Sequence, residues 1–170
     1  MPILPILTYP DPFLKKATML IEKVDDELVA LAQDMLTTMY QAPGVGLAAP
    51  QVGQGLSLIV IDTDRNLEEP KPVILFNPEI VASEGEIIYE EGCLSVPDYT
   101  VEIKRASWIK VRALDLNEKP IEFEAENYRA VVFQHEIDHL NGTLIIDRVS
   151  PLKRELYRRK LQKAHKENET

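Results

Sequence analysis

The sequence is poor in several features that mark particular classes of protein. It has a single cysteine among 170 residues, so no disulfide can form within the chain. No apolar run approaches the ~20 residues that a membrane-spanning helix needs. The start, MPILPILTYPDP, has prolines where a secretory signal would carry its apolar segment. We therefore expect a cytoplasmic protein without a membrane partner.

The rest of the composition is typical of an ordinary folded protein. Hydrophobic residues make up 45% and charged residues 28% of the chain, and the length fits one domain spanning residues 1–170. The net charge of −9 argues against a DNA-binding function. Residues 148–170, however, hold eight Lys and Arg against three acidic residues. They are predicted to form a basic C-terminal helix and tail on an acidic body.

Hydrophobic periodicity predicts the order of helices and strands. Asp25 can cap a helix that runs to about Gln41, with Leu28, Leu31, Met35 and Met39 on one face. Six short, mostly alternating segments follow and are joined by turns, which indicates antiparallel strands. They are LSLIVID, PVILFNPEIV, GEIIYEE, YTVEIK, SWIKVRALD and IEFEA.

Two further helices are predicted after the strands. ENYRAVVFQHEIDHLNG has apolar residues on more than one side, which indicates a helix buried in the core. From Ser150-Pro151 onward, Leu152, Leu156 and Leu161 form a thin stripe among Lys and Arg, typical of a surface helix. The fold class is therefore α+β. Mainly antiparallel strands surround a central helix, with an N-terminal helix and a C-terminal surface helix beside them.

The central helix carries the strongest chemical signal, an HExxH pattern. His135 and His139 are four residues apart, so they lie on one helix face about 5–6 Å from each other and can share a metal. Glu136 between them can reach a water on that metal. The alternative is that these are simply polar residues on a partly buried helix.

The identity of a third ligand separates several kinds of metal site. Ile145 occupies the position at which HExxHxxGxxH proteases have their third histidine, which excludes that pattern. Glu155 is expected to pair with neighbouring basic residues, and His165 is expected at the surface. A lone cysteine such as Cys93 is often a small core residue. Beside a histidine pair short of one ligand, it completes a catalytic type of site with one position open.

A third segment, GVGLAAPQVG over residues 44–53, is unusually rich in Gly and Ala. Small residues allow another chain to approach the backbone closely, and the Gln51 amide could face a developing oxyanion. A flexible loop is the alternative. A phosphate-binding loop is disfavoured, because neither GxxxxGK[ST] nor GxGxxG is present.

These three segments together resemble the motifs of peptide deformylases, which remove the N-formyl group from the initiator methionine of new bacterial and organellar proteins. The family's GxGLAAxQ, EGCLS and HExDHLxG occur here in that order, as residues 44–51, 91–95 and 135–142. The similarity covers most of the chain. It extends from DMLTTMYQAPGVGLAAPQVG to the LIIDRV that follows the metal helix.

The resemblance implies one divalent metal per chain, with Cys93, His135 and His139 as its ligands. Glu136 would be the general base that takes a proton from metal-bound water and passes it to the leaving amine. The family typically uses Fe²⁺ in cells, so we expect Fe²⁺. Ni²⁺, Co²⁺ or Zn²⁺ can substitute, since the same ligands accept them.

The resemblance also implies how an N-formylmethionyl nascent peptide is held. The Gln51 side chain and the Leu94 backbone N–H would stabilise the tetrahedral oxyanion. The peptide would lie as an added strand along residues 44–46, including Gly46. Its methionine side chain would enter an apolar pocket, although core packing is an alternative for the last two residues of the lining. That lining is Val45, Leu94, Val131 and Val132.

The chain departs from the family pattern at two places. Bacterial members often carry a basic residue after EGCLSVP, where this chain has Asp98-Tyr99-Thr100. Glycine is also common before the metal helix, where this chain has Glu126-Asn127. A separate question concerns Glu91, whose carboxylate either pairs with Arg105 or is exposed on its strand.

Other functions remain open on the sequence alone. An HExxH metallopeptidase that cleaves internal peptide bonds, with Glu155 or another carboxylate as third ligand, is the main alternative. A non-catalytic metal-binding module is another. The basic C-terminal helix could contact ribosomal RNA, or it could be a solvated face that covers acidic surface.

Overall fold

The computed structural model describes residues 2–64, 66 and 68–169, apart from the side chains of residues 165 and 167–169. Within these ranges the α-helices are α1 (Asp26–Gln41), α2 (Asn127–Leu140) and α3 (Pro151–Glu169). The strands are β1 (Gly46–Ala48), β2 (Leu58–Ile61), β3 (Val73–Glu84), β4 (Ile87–Cys93), β5 (Val96–Arg105), β6 (Trp108–Leu114) and β7 (Pro120–Glu126). Short 3₁₀ helices lie at Pro12–Lys15, Ala49–Val52 and Ile145–Arg148.

The strands form two antiparallel units. One is a five-stranded sheet in the order β1-β2-β3-β6-β7, and the other is the β4–β5 hairpin. The predicted α+β class is confirmed. Strand β1 was not predicted, because three residues that include a glycine carry no alternation signal.

Strand β2 shows why the core has two halves. Its side chains alternate in direction, so Leu58 and Val60 join a cluster with α1, whereas Ile59 and Ile61 join a cluster with α2. A strand covered on both faces needs a continuous apolar run, which is what its sequence provides. The sheet therefore lies between α1 and α2.

Helix α1 follows its predicted pattern. The Asp25 carboxylate caps the N-terminus by accepting from the backbone N–H of Leu28 at 2.9 Å. Met35 and Met39 are fully buried against the sheet. The helix ends at Gln41, just before the segment that leads into β1.

Helix α2 is the central helix that the sequence predicts. Most of its later residues are buried, including Phe133, Ile137 and Leu140. It begins at Asn127, whose φ of 54° is left-handed, a conformation that asparagine adopts more readily than most side chains. Gly142 follows the helix at φ 73°, where a Cβ would overlap the carbonyl group of Lys15.

Helix α3 is a surface helix, and of its expected leucine stripe Leu161 is the member that packs, partly buried, against the core. Leu152 and Leu156 are 70% and 55% exposed. Tyr157 is the buried anchor: it packs against Tyr9 and Tyr99, and its hydroxyl donates to the carbonyl of Pro97 at 2.9 Å. Hydrophobic periodicity did not predict that Tyr157 is buried, because its contacts depend on β5, which is distant in sequence. No helix in the described part of the chain is long and apolar enough to cross a membrane.

Candidate metal centre

A cleft of about 650 Å³ lies between the start of β1, the β4–β5 hairpin and α2. All of the predicted site residues except His139 line it, and His139 is buried, with 1% of its surface exposed. The predicted residues that line the cleft are Val45, Gly46, Gln51, Cys93, Leu94, Val131, Val132, His135 and Glu136. Three segments that are far apart in sequence therefore meet around one cavity.

Cys93, His135 and His139 converge at the base of this region. One potential ligand atom from each lies within 4.8 Å of the others, and Cys93 Sγ is 3.4 Å from His139 Nε2. Helical spacing places both imidazoles on one face of α2. The pairing of β4 with β5 shifts register between Gly92 and Cys93, and such irregularities re-aim a side chain out of regular strand geometry.

A buried ionic network fixes the orientation of His135. Its Nδ1 lies 3.0 Å from Glu91 Oε1, which leaves Nε2 as the ring nitrogen that could bind a metal. Arg105 donates to both oxygens of Glu91, at 2.6 and 2.8 Å. The contact between Glu91 and Arg105 is therefore present, and both residues are buried.

The network continues to residues that the sequence analysis missed. Arg105 also donates to Asp138 at 2.9 Å, and Arg148 pairs with Asp138 at 2.6 Å. Asp138 lies within the HExxH segment, so its place next to the histidines was a usable signal. Nothing in the sequence indicated Arg148, which was grouped with the free charges of the tail.

Burial and neighbouring charges set the protonation of this cluster. Burial would raise the pKa of Glu91, but hydrogen bonds from His135 and Arg105 outweigh it and hold the pKa below its usual value. Burial, together with the nearby charges of His135 and Arg105, lowers the pKa of His139 well below 6.5. A neutral imidazole is the form that binds a metal.

Glu136 occupies a different environment from Glu91. It is 4% exposed, and its Oε1 has no hydrogen-bond partner among the described residues. Burial raises its pKa to about 7. Gly46 packs directly against it, and a Cβ there would come within 2.8 Å of the Glu136 carboxyl carbon. The glycine is therefore required by close approach.

The Gln51 side chain is held at both ends of its amide. Its Oε1 accepts from the backbone N–H of Ala48 at 2.9 Å, and its Nε2 donates to Ser95 Oγ at 3.1 Å. The same Nε2 lies 3.7 Å from Cys93 Sγ. The amide N–H₂ is thereby directed toward the cysteine at the cleft.

The donor set fits a divalent metal. One sulfur and two imidazole nitrogens suit Fe²⁺, Co²⁺, Ni²⁺ or Zn²⁺, and three protein ligands leave a coordination position open. Glu155 is not near this set. It lies half-exposed on α3, where it pairs with Arg158 and Arg159 at 3.6 and 3.5 Å. The side chain of His165 lies outside the described residues.

Comparison with known proteins agrees with this geometry. A family model described as polypeptide deformylase matches residues 3–155. The chain belongs to this family. Among curated relatives, a peptide deformylase of Syntrophobacter fumaroxidans is 50% identical, with 98% of each chain covered. Another, of Thermodesulfovibrio yellowstonii, is 51% identical, covering 95% of this chain and 98% of the relative.

Solved structures of peptide deformylases resemble the chain throughout. The enzyme of Legionella pneumophila gives a TM-score of 0.90 at 47% identity, with 98% of each chain covered. The enzyme of Ehrlichia chaffeensis, crystallised in complex with actinonin, gives 0.91 at 37% identity and covers 96% of this chain and 98% of that one.

Membership of this family decides between the functions left open by the sequence. The chain is a hydrolase that removes the N-formyl group from nascent polypeptides, and the family is metal-dependent. The metallopeptidase alternative is not favoured, and Glu155 is engaged elsewhere. A non-catalytic metal-binding module is not supported either.

Proposed function

We propose that this cleft is where the formyl amide is hydrolysed, with Cys93, His135 and His139 holding one divalent cation and Glu136 moving the proton. The observation that carries the proposal is the convergence of a thiol and two imidazoles beside a buried carboxylate. When bound, such a cation activates water and polarises the formyl carbonyl. We assign Fe²⁺ to the site, with Ni²⁺, Co²⁺ or Zn²⁺ as substitutes that the same ligand set accepts.

Glu136 accepts a proton from the attacking water and later delivers it to the leaving amine. A pKa of about 7 suits both tasks, since a group that titrates near the working pH can accept and donate in turn. Burial keeps bulk water from competing for the carboxylate. The unpartnered Oε1 leaves one oxygen available for this exchange.

Gln51 and Leu94 stabilise the negative charge that develops on the formyl oxygen. The Gln51 Nε2 donor is already oriented by its contacts at both ends of the amide, so little reorganisation is needed during the reaction. The Leu94 backbone N–H is the second donor. Leu94 follows Cys93 directly and lines the same cleft.

The substrate peptide binds along β1. This strand is the edge of the five-stranded sheet, because β2 pairs with it on one side only. An extended peptide can add to such an edge. Val45 and Gly46 supply the edge, and the methionine side chain lies against Val131 and Val132, which are buried but line the cleft.

An anaerobic assay on formyl-Met-Ala-Ser, with metal analysis of the same sample, tests the site. We expect formate release, and we expect Cys93→Ala to remove both bound metal and turnover. The matched control is Ser95→Ala, two residues away, which removes a partner of Gln51 but no proposed metal ligand. Full metal retention by Cys93→Ala would contradict the ligand assignment, and cleavage of internal bonds without formate would contradict the reaction.

We also propose that the chain acts in the cytoplasm and that α3 contacts the ribosome. The ribosome contact is supported by the positive charge of α3. Six of its basic side chains are exposed: Lys153, Arg158, Arg159, Lys160, Lys163 and Lys166. Ribosomal RNA is a polyanion, and contacts with its phosphates are salt-dependent. Arg148 does not belong to this surface, because it lies before α3 and pairs with Asp138 of α2.

A further inference from the structure

We propose that Tyr40 and Asp62 position the edge strand along which the substrate peptide binds, so that they control peptide affinity without contacting the peptide. Neither residue lines the cleft. The inference rests on the deformylation proposed above and on peptide binding along β1. It assigns a positioning role to two residues that lie behind that strand.

Asp62 is a buried carboxylate without a cation. It follows β2 directly, is 2% exposed and has no ion-pair partner among the described residues. Burying such a charge is costly unless hydrogen bonds replace the lost water. Oδ2 accepts from the Tyr40 hydroxyl at 2.6 Å and from the backbone N–H of Lys71 at 3.0 Å, and Oδ1 accepts from the backbone N–H of Asp64 at 3.1 Å. The carboxylate is therefore fixed to α1 and to both ends of the connection between β2 and β3.

Tyr40 links this carboxylate to the last turn of α1, where its side chain is half-buried. Burial, followed by the hydrogen bond to Asp62 and the negative charge of that residue, raises the pKa of the Tyr40 phenol. The hydroxyl therefore remains a donor at neutral pH. The same end of α1 also holds the chain just before β1, because the Gly44 N–H donates to the Met39 carbonyl at 2.7 Å.

The backbone of Asp62 carries this restraint to the substrate edge. Its N–H donates to the Val45 carbonyl at 2.9 Å, one residue beyond the Gly46–Ile61 pair of β1 and β2. Successive residues of a strand turn their backbone N–H and C=O groups to opposite sides. Since the Val45 carbonyl points to β2, the N–H and C=O of Gly46 point to the open edge, where an extended peptide can pair with them.

A shift of this edge should weaken peptide binding and leave the chemical step intact. Strand β1 has only three residues, so the bond from Asp62 to Val45 is a large part of what holds its first end. The proposed metal ligands and the general base lie on β4 and α2, to which the Asp62 side chain makes no hydrogen bond among the described residues. Loss of an interaction that binds substrate and transition state equally raises KM with kcat unchanged.

The kinetic test compares Tyr40→Phe and Asp62→Asn with the unaltered, metal-loaded enzyme on formyl-Met-Ala-Ser. Phenylalanine removes only the hydroxyl. Asparagine turns its N–H₂ toward the backbone N–H of Asp64 or of Lys71 in either orientation, because those two donors use different oxygens. We expect KM to rise about three-fold for Tyr40→Phe and about ten-fold for Asp62→Asn, with kcat within about two-fold. Because the two residues act as one unit, the double variant should raise KM by less than the product of the single effects.

Thr38→Val is the matched control on the same helix. It removes a buried hydroxyl that accepts from the backbone N–H of Leu4 at 2.9 Å and that makes no hydrogen bond to Asp62. The variant should be less stable in urea, as Tyr40→Phe should be, yet its KM should not change. This difference separates positioning of the edge from general destabilisation.

Amide hydrogen exchange on the zinc-loaded protein tests the same bond without reference to activity. In Tyr40→Phe, protection of the Asp62 N–H should fall by about ten-fold relative to the amides of β6, which lies inside the sheet. In Thr38→Val this ratio should stay as it is in the unaltered protein.

Four results would overturn the inference. They are an unchanged KM in both Tyr40→Phe and Asp62→Asn, a fall in kcat at constant KM, an equal rise of KM in Thr38→Val, and undiminished protection of the Asp62 N–H in Tyr40→Phe. If the unaltered enzyme releases no formate, the proposed deformylation fails. The exchange measurement then still decides whether Tyr40 and Asp62 hold the edge.

Discussion

Helices α2 and α3 are close in sequence but use their charged residues in opposite ways. In α2, His135 and Asp138 are tied into a buried network with Glu91 and Arg105. In α3, Glu155 pairs with its own helical neighbours at the surface. Burial makes the first set of charges depend on one another, because an unpaired charge there is costly. Solvent makes the second set nearly independent.

This contrast distinguishes α2, which carries the groups proposed for the reaction, from α3, which carries exposed charge. The buried helix holds the groups whose protonation and orientation the reaction needs. The exposed helix offers charge to a partner without affecting those groups, and Tyr157 alone among its described side chains is buried. Substitutions in the two helices should therefore differ in what they change as well as in size.

The largest effect on activity is expected from Glu136→Gln in α2. An amide of the same shape cannot take or deliver the proton, so kcat on formyl-Met-Ala-Ser should fall by about 10²–10⁴-fold. Bound metal, measured on the same sample, should be unchanged. The matched change in α3, Glu155→Gln, should leave kcat as it was. Turnover within a few-fold of the unaltered enzyme would exclude Glu136 as general base.

A large loss of stability is expected from Arg105→Met. The substitution leaves the buried Glu91 carboxylate without its cationic partner, whereas the partly buried Asp138 keeps Arg148. Breaking a buried pair costs about 3–5 kcal/mol. Urea unfolding of the metal-free protein measures it. Glu155→Gln, which removes only exposed pairs, should cost less than about 1 kcal/mol. Equal losses for the two variants would mean that the buried network does not stabilise α2 as described.

The smallest effect on catalysis is expected when α3 loses its charge. Changing Arg158, Arg159, Lys160 and Lys163 to Gln retains the Tyr157 anchor, which truncation would remove. In this variant, turnover of a short peptide should be unchanged, whereas sedimentation with ribosomes should decrease. In the unaltered protein, sedimentation with ribosomes should weaken as the salt concentration rises.

A matched loss of four charges from β5, β6 and the turn that precedes β7 serves as the control for that experiment. The residues are Lys104, Lys110, Arg112 and Lys119, which are distributed over the body of the protein. If both variants sediment alike, charge on α3 has no special role and the ribosome contact should be abandoned.

Much of the fold follows from local patterns. The α1 cap at Asp25, the continuous apolar run of β2 and the buried faces of α2 are all properties of short segments, and the structure contains them within a few residues of prediction. Strand β1 and the Tyr157 anchor were missed. Strand β1 pairs with the next strand but is too short to show alternation, and the Tyr157 anchor depends on Pro97 and Tyr99 in a distant strand.

The candidate site likewise has one part that the sequence predicted and another part that it did not. The HExxH spacing places two histidines on one helix face wherever that helix lies, and the resemblance to the family supplied Cys93 and Gln51. The links from Asp138 to Arg105 and Arg148 were missed. Those links cross three elements, and only the folded chain brings their ends within hydrogen-bonding distance.

The sequence by itself determined the chemical groups and their local geometry: a thiol at a turn, two imidazoles one helical turn apart and a carboxylate between them. Tertiary structure decided which groups are buried, which are paired and which face solvent. Glu91, Glu136 and Glu90 are the same residue type, yet one is held charged by Arg105, one has its pKa raised by burial and one is exposed at the cleft. The reason is physical, because the energy of a charge depends on the solvent and neighbours around it, and both are set by the fold.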